Sequence, residues 1–235
     1  MTQILPIDGW AEDVWVWLTD GLVVGPVAAI GVIVALVLAL TWYAGWLQKR
    51  QRTLAMLNAV NDTTFGRCVP RSRTGAWGFA VAIEPAPEPF REFNISYQPV
   101  SILDPFDLAR MLFGTRRTSL QIAGMLIHEP VAEIVWVRGQ PPARALGVKP
   151  GRAPWVHARL DFAGTEYATR GTNVGALRHV LQDMYARFTP ALVWVTVQRE
   201  RRPQLRVVVK GKIEAQNVSP LIASVRALGR ASMRE

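Results

Sequence analysis

A chain of 235 residues that carries an α+β domain on one membrane-spanning helix is what three features of this sequence predict. Residues 22–47, LVVGPVAAIGVIVALVLALTWYAGWL, contain no charged side chain and exceed the roughly 20 residues a helix needs to cross a bilayer. Beyond residue 66, strand-like and helix-like segments alternate in the order ββαββ, ββα, ββα, which fits a largely antiparallel sheet with helices on one face, an α/β sandwich. Lys49, Arg50 and Arg52 follow the apolar block directly. Cations at one end of a span mark its cytoplasmic side, so the N-terminus is expected outside and the domain in the cytoplasm.

The tail, residues 1–21, has Asp8, Glu12, Asp13 and Asp20 and no Lys or Arg, unlike a secretory signal peptide, which opens with a basic segment. In the span, residues 22–47, Pro26 falls where its missing N–H is harmless. Gly31, Ala35 and Ala39 recur every four residues, a stripe that would let another membrane helix approach closely. Trp42, Tyr43 and Trp46 suit an aromatic belt at the inner interface, and Trp10, Trp15 and Trp17 one at the outer. A basic extension, residues 48–65, continues the helix without a breaker to about Asn61.

Residues 66–235 form the domain. GAWGFAVAIE and REFNISYQPV read as strands separated by the proline-rich APEP. In DPFDLARMLFG, Asp104 can cap a short helix, Pro105 suits its first position and Gly114 stops it. TSLQIAGMLI and AEIVWVRG are strands, and residues 139–154, with four prolines and three glycines, are an exposed loop. Strand-like WVHARLDF leads into EYATRGTNVGALRHVLQDMYARF. There Gly171 and Gly175 invite a nucleotide reading, but the stretch lacks the Lys-Ser/Thr of a P-loop and the third glycine of a dinucleotide fingerprint. Val174, Leu177, Val180, Leu181 and Met184 fall on one face of a helix instead, with Thr172 or Asn173 as its expected cap. ALVWVTVQR and QLRVVVKG are the last strands, and a helix from about Ser219 closes the chain.

All 27 Lys and Arg lie beyond residue 21 against 14 of the 18 acids, a balance of +13. Such a domain beside a membrane suits anionic lipid or nucleic acid. Its cations cluster at expected loop tips: Arg116 and Arg117; Arg144, Lys149 and Arg152; Arg199, Arg201 and Arg202. These are expected to share one edge as a rim that contacts phosphate without reading sequence. His128, His157 and His179 stand apart from one another and from Cys68, the single cysteine, so neither a zinc pair nor an internal disulfide is expected. Glu129 and Glu133 span a proline, a poor arrangement for an acid/base dyad. No catalytic residue, cofactor, metal or small-molecule substrate is expected, and the chain does not read as an enzyme.

The order of parts resembles the calumin family, the coiled-coil-containing subunit of the PAT complex in the multipass translocon. The likeness rests on LQKRQRTLAMLNAV after the span, ISYQPVSILDPFDLARMLFGTRRTSLQIAGML, YATRGTNVGALRHVLQDMYARF, and the closing QLRVVVKGKIE and VSPLIASVRALGRA. It departs from the family in its short acidic tail and in lacking the basic C-terminal coiled coil. The resemblance implies a non-enzymatic adaptor that contacts the ribosome and translocon or insertase components and helps client multi-spanning membrane proteins insert and fold. The membrane would be the plasma membrane in a prokaryote and the endoplasmic reticulum in a eukaryote. Charge alone leaves a different expectation open: a membrane-anchored module that binds anionic lipid or an acidic protein partner.

Overall fold

The computed structural model describes residues 26–64, 66–72, 77–114, 117–142, 155–159 and 165–233. Helix α1, Pro26–Thr63, is unbroken over 38 residues, about 57 Å at 1.5 Å per residue. Its two halves differ in what they bury. Residues 30–40 are exposed all round although almost wholly apolar, and this is the one described helix long and apolar enough to cross a membrane. From Gly45 onward a stripe of Gly45, Lys49, Thr53, Met56 and Val60 is buried at steps of three and four, as on any helix packed against a domain by one face. The expected helical extension is therefore present, ending at Thr63.

Among the described residues nine strands form a single antiparallel sheet in the order β1-β2-β3-β4-β9-β8-β5-β7-β6. They are β1 Arg67–Pro70, β2 Phe79–Glu84, β3 Phe90–Gln98, β4 Ser119–Leu126, β5 Ala132–Val137, β6 Val156–Arg159, β7 Glu166–Gly171, β8 Leu192–Val197 and β9 Leu205–Lys210. β1 is a strand that the sequence pattern did not suggest; it is four residues long, ends in proline and lies at a sheet edge, where proline is tolerated. Three more α-helices lie among the described residues, α2 Pro105–Leu112, α3 Val174–Phe188 and α4 Val218–Met233, with a 3-10 turn, Ala215–Asn217, leading into α4.

The main core lies between the sheet and α1, α3 and α4. Phe93, Ile95, Ile122, Trp136, Val195 and Val207 point from the strands toward Met56 and Val60 of α1, Leu177 and Leu181 of α3, and Val225 and Leu228 of α4. The long helices thus cover one face, as the sequence predicts. On the opposite face the described residues form a small cluster of Val135, Val137 and Ala168, with Trp155 and Trp194 against it.

At the start of α3 Asn173 is not the side-chain cap expected of it or Thr172. Asn173 precedes the helix in the left-handed region, φ 54° and ψ 37°, and its side chain makes no capping bond. The turn is built from backbone geometry. Gly171 has φ +107°, and a Cβ there would come within 2.1 Å of the Val131 carbonyl oxygen, so only glycine fits.

Candidate functional site

The candidate site lies where α1 leaves its apolar stretch and meets the turn before α2. Asp104 caps α2 as the sequence predicts: its Oδ1 accepts from the backbone N–H of Phe106 at 3.0 Å and of Asp107 at 3.4 Å. Its other carboxylate oxygen accepts from Lys49 Nζ at 2.5 Å, and Asp107 Oδ2 lies 3.2 Å from the same ammonium. Asp104 and Asp107, three positions apart, share the inner side of the helix start. Asp107 also accepts from the Ser101 N–H at 3.3 Å, and the Ser101 hydroxyl donates to Gln48 Oε1 at 2.6 Å. Trp77 stacks over the ammonium with its ring centre 4.4 Å away.

Lys49 is 1 % exposed. Burial opposes ionisation of Asp104, but the Lys49 hydrogen bond and charge, with the Phe106 and Asp107 N–H groups, together hold its carboxyl below the usual carboxylate range. The helix and the turn also touch directly: a Cβ on Gly45 would fall 2.7 Å from the Asp104 backbone nitrogen. Backbone contact, buried ion pair and the Gln48–Ser101 bond lock the turn onto α1.

Lys49, expected among the cations at the membrane interface, is buried rather than presented to solvent. It is sequestered by two acids 55 and 58 residues further along. Arg50 and Arg52 are exposed; Arg50 lies over Trp46 with its guanidinium 5.4 Å from the ring centre, and Arg52 reaches the Val100 carbonyl at 3.4 Å. Tyr43 and Trp46 stack at 6.0 Å, and Trp42 is exposed. Gly31, Ala35 and Ala39 are exposed with the rest of the apolar half.

Beside the locked turn opens a groove of about 750 Å³, lined by Arg52, Tyr97, Met111, Arg117, Lys212 and Glu214 among others. Three cations thus converge on it, with Lys212 paired to Glu214 at 3.0 Å.

The expected single rim of cations divides. Arg117 lies just before Ser119, which pairs with Lys210, whereas the Arg199 to Arg202 turn precedes Leu205, which pairs with Gly124 at the other end of the same two strands. The two sets stand about 20 Å apart at 3.4 Å per residue. Arg116, Arg144, Lys149 and Arg152 lie outside the described residues, as do residues 1–25 with the outer tryptophans. At the far turn, Glu133 accepts the Arg199 backbone N–H at 2.7 Å and also holds the Arg170 guanidinium. The Arg199 side chain pairs with Glu129. The two glutamates therefore anchor the turn. The Glu133 hydrogen bond keeps Arg170 still more firmly protonated.

His128, His157 and His179 are exposed, and no described group of His, Cys, Asp and Glu is placed to hold a metal ion. What sequence reasoning missed is the Lys49–Asp104–Asp107 cluster. Its signal is the composition of residues 102–113, ILDPFDLARMLF, in which two acids at the helix start are nearly the only polar groups.

No protein-family model matches the chain, and no curated protein is significantly similar to it.

Proposed function

We propose that the chain is a non-enzymatic single-pass membrane adaptor, with its N-terminus outside and its α+β domain in the cytoplasm, that assists insertion or folding of multi-spanning membrane proteins beside the ribosome and translocon. The observation that carries this reading is the continuity of α1, whose exposed apolar half runs without a break into a half that lies in the domain core through Met56 and Val60. A helix of this kind holds its domain at a set height and orientation over the bilayer, which an adaptor between membrane and cytoplasm needs. The Arg199, Arg201 and Arg202 turn lies at the far end of the sheet from the helix exit, where a cytoplasmic phosphate surface such as rRNA is reachable. The calumin-like order of parts supplies the class of client.

Sedimentation of the detergent-solubilised chain with ribosomes tests it. Co-sedimentation at low salt that is released as salt rises is the expected result, because phosphate contacts weaken with ionic strength. Absence of co-sedimentation at low salt contradicts it.

The groove at the helix exit favours a second reading, a module that binds an anionic lipid or an acidic protein partner. Arg52, Arg117 and Lys212 line the groove together, a set of cations suited to a headgroup phosphate or an acidic segment. Retention of anionic over zwitterionic phospholipid, lost in Arg52→Gln with Arg117→Gln, with no ribosome affinity, would select it.

A further inference from the structure

We propose that residues 102–113, the turn and short helix locked to the end of the span, dip into the inner interfacial layer of the bilayer that α1 crosses. The inference rests on α1 being a membrane span. It assigns these residues a role that neither the charge pattern nor the fold requires.

The first observation is an inversion. A short helix on a water-soluble domain turns its apolar side chains inward and its acids to solvent. In α2 the only buried residue is Asp107, whereas Ile102 is 62 % exposed, Phe106 69 %, Leu112 78 % and Phe113 82 %. Leu103, Leu108 and Met111 are also exposed. The element is attached to the protein through its carboxylates and presents its apolar side outward. Exposed apolar side chains are ordinary when single; a contiguous set on one element marks a contact surface.

Depth is the second observation, and it identifies the occupant. The uncharged run closes at Leu47, just before Lys49 and Arg50, with Trp42, Tyr43 and Trp46 as its interfacial aromatics, which places the inner boundary near Gly45 and Trp46. Gly45 is the residue that touches Asp104 backbone to backbone, and Gln48 and Lys49 make the next bonds to the same segment. The apolar element is thereby held at the boundary where the span ends. Tyr43, Leu47 and Trp77, all exposed, continue the apolar surface on the α1 side.

Charge is the third. Arg50, Arg110 and Arg117, each exposed, border this surface. Apolar side chains with cations at their margin are what an element lying in the headgroup and acyl boundary requires. The buried Lys49 fits the same placement, because an ammonium at that depth is matched by two carboxylates of the protein.

The test places an environment-sensitive fluorophore on single cysteines in the full-length chain with Cys68→Ser, reconstituted in vesicles of phosphatidylcholine with phosphatidylglycerol. Labels are introduced by Phe106→Cys, Leu112→Cys, Tyr43→Cys as the span reference, and Arg202→Cys as the aqueous reference. Blue-shifted emission at 106 and 112, quenched by a lipid nitroxide near the headgroup as strongly as at 43 and at least several-fold more than at 202, is the expected result. Water-like emission at 106 and 112 with lipid-like emission at 43 overturns the inference and leaves the span intact. Water-like emission at 43 removes the span reading and the inference with it. Labels at 106 and 112 that are aqueous in pure lipid vesicles but shielded in native membranes also overturn it, and assign the surface to a protein partner.

Discussion

Lys49 Nζ lies 2.5 Å from Asp104 Oδ2, joining the exit of the long helix to the cap of a short one 55 residues later. With Asp107 on the same ammonium, one cation is shared by two carboxylates out of contact with water. Removing one partner of such a cluster leaves an uncompensated buried charge, which costs more than the pair itself contributes. Lys49→Met should therefore destabilise the domain by about 3–5 kcal/mol, measured by thermal or denaturant unfolding in detergent. Adding Asp104→Asn and Asp107→Asn to it should recover part of the loss. A single variant as stable as the parent would mean the cluster has no structural role.

The cluster also sets an acid limit. The Asp104 carboxyl is held below its ordinary value, so its contribution is present above the unfolded pKa of about 3.9 and is lost as pH falls through the lower folded value. Stability from this group should be flat between pH 8 and pH 5 and should fall only below about pH 4. The gap in unfolding temperature between the parent and Asp104→Asn should narrow as the buffer is taken through that range. A gap that widens toward acid pH would reverse the sign of the argument.

Gly45 gives a steric counterpart. Since a Cβ there meets the Asp104 backbone nitrogen at 2.7 Å, Gly45→Val should push the turn off α1, at a cost of about 1–3 kcal/mol for overpacking. Trp77 fluorescence follows the Lys49 contact, but the chain has 9 tryptophans. Protease sensitivity within residues 99–118 is the cleaner readout, and it should rise in Gly45→Val and stay unchanged in Gly31→Val, where nothing lies within 4 Å.

At the far end of the sheet, binding and stability should separate. Replacing Arg199, Arg201 and Arg202 by Gln keeps the Arg199 N–H bond to Glu133, which comes from the backbone. Loss of the exposed Arg199–Glu129 pair should change stability by no more than about 1 kcal/mol. Ribosome binding should fall and its salt dependence flatten. Glu133→Ala removes the acceptor that holds both Arg170 and the Arg199 backbone and should cost about 1–3 kcal/mol. Equal unfolding temperatures for the two variants would contradict this division.

Much of this architecture was legible because it depends on local pattern. The uncharged run, the helical continuation to Thr63, the Asp104-Pro105 start of α2 and the alternating strands each declare themselves within a few residues. What escaped is non-local or depends on backbone conformation. Lys49 resembles any juxtamembrane cation until the fold brings Asp104 and Asp107 to it. Asn173 has the side chain of a cap but occupies a left-handed conformation instead. Arg117 and Arg202 both read as loop-tip cations, and only the β4–β9 register shows that they occupy opposite ends of the sheet. β1 is too short, and too close to a proline, to show a period of two.

The central claim is that one helix crosses the bilayer and continues unbroken into the domain core. Spin labels placed singly along residues 30–62 of the full chain with Cys68→Ser, read for collisions with oxygen and with a water-soluble nickel complex in vesicles, test this most directly. The account predicts high oxygen and low nickel accessibility to about residue 45. Beyond it, protection should recur at the Lys49, Thr53, Met56 and Val60 positions, with nickel access at the exposed positions Gln51, Asn58 and Asp62. Nickel access throughout residues 30–45, or loss of the three- and four-residue period after residue 46, would contradict it.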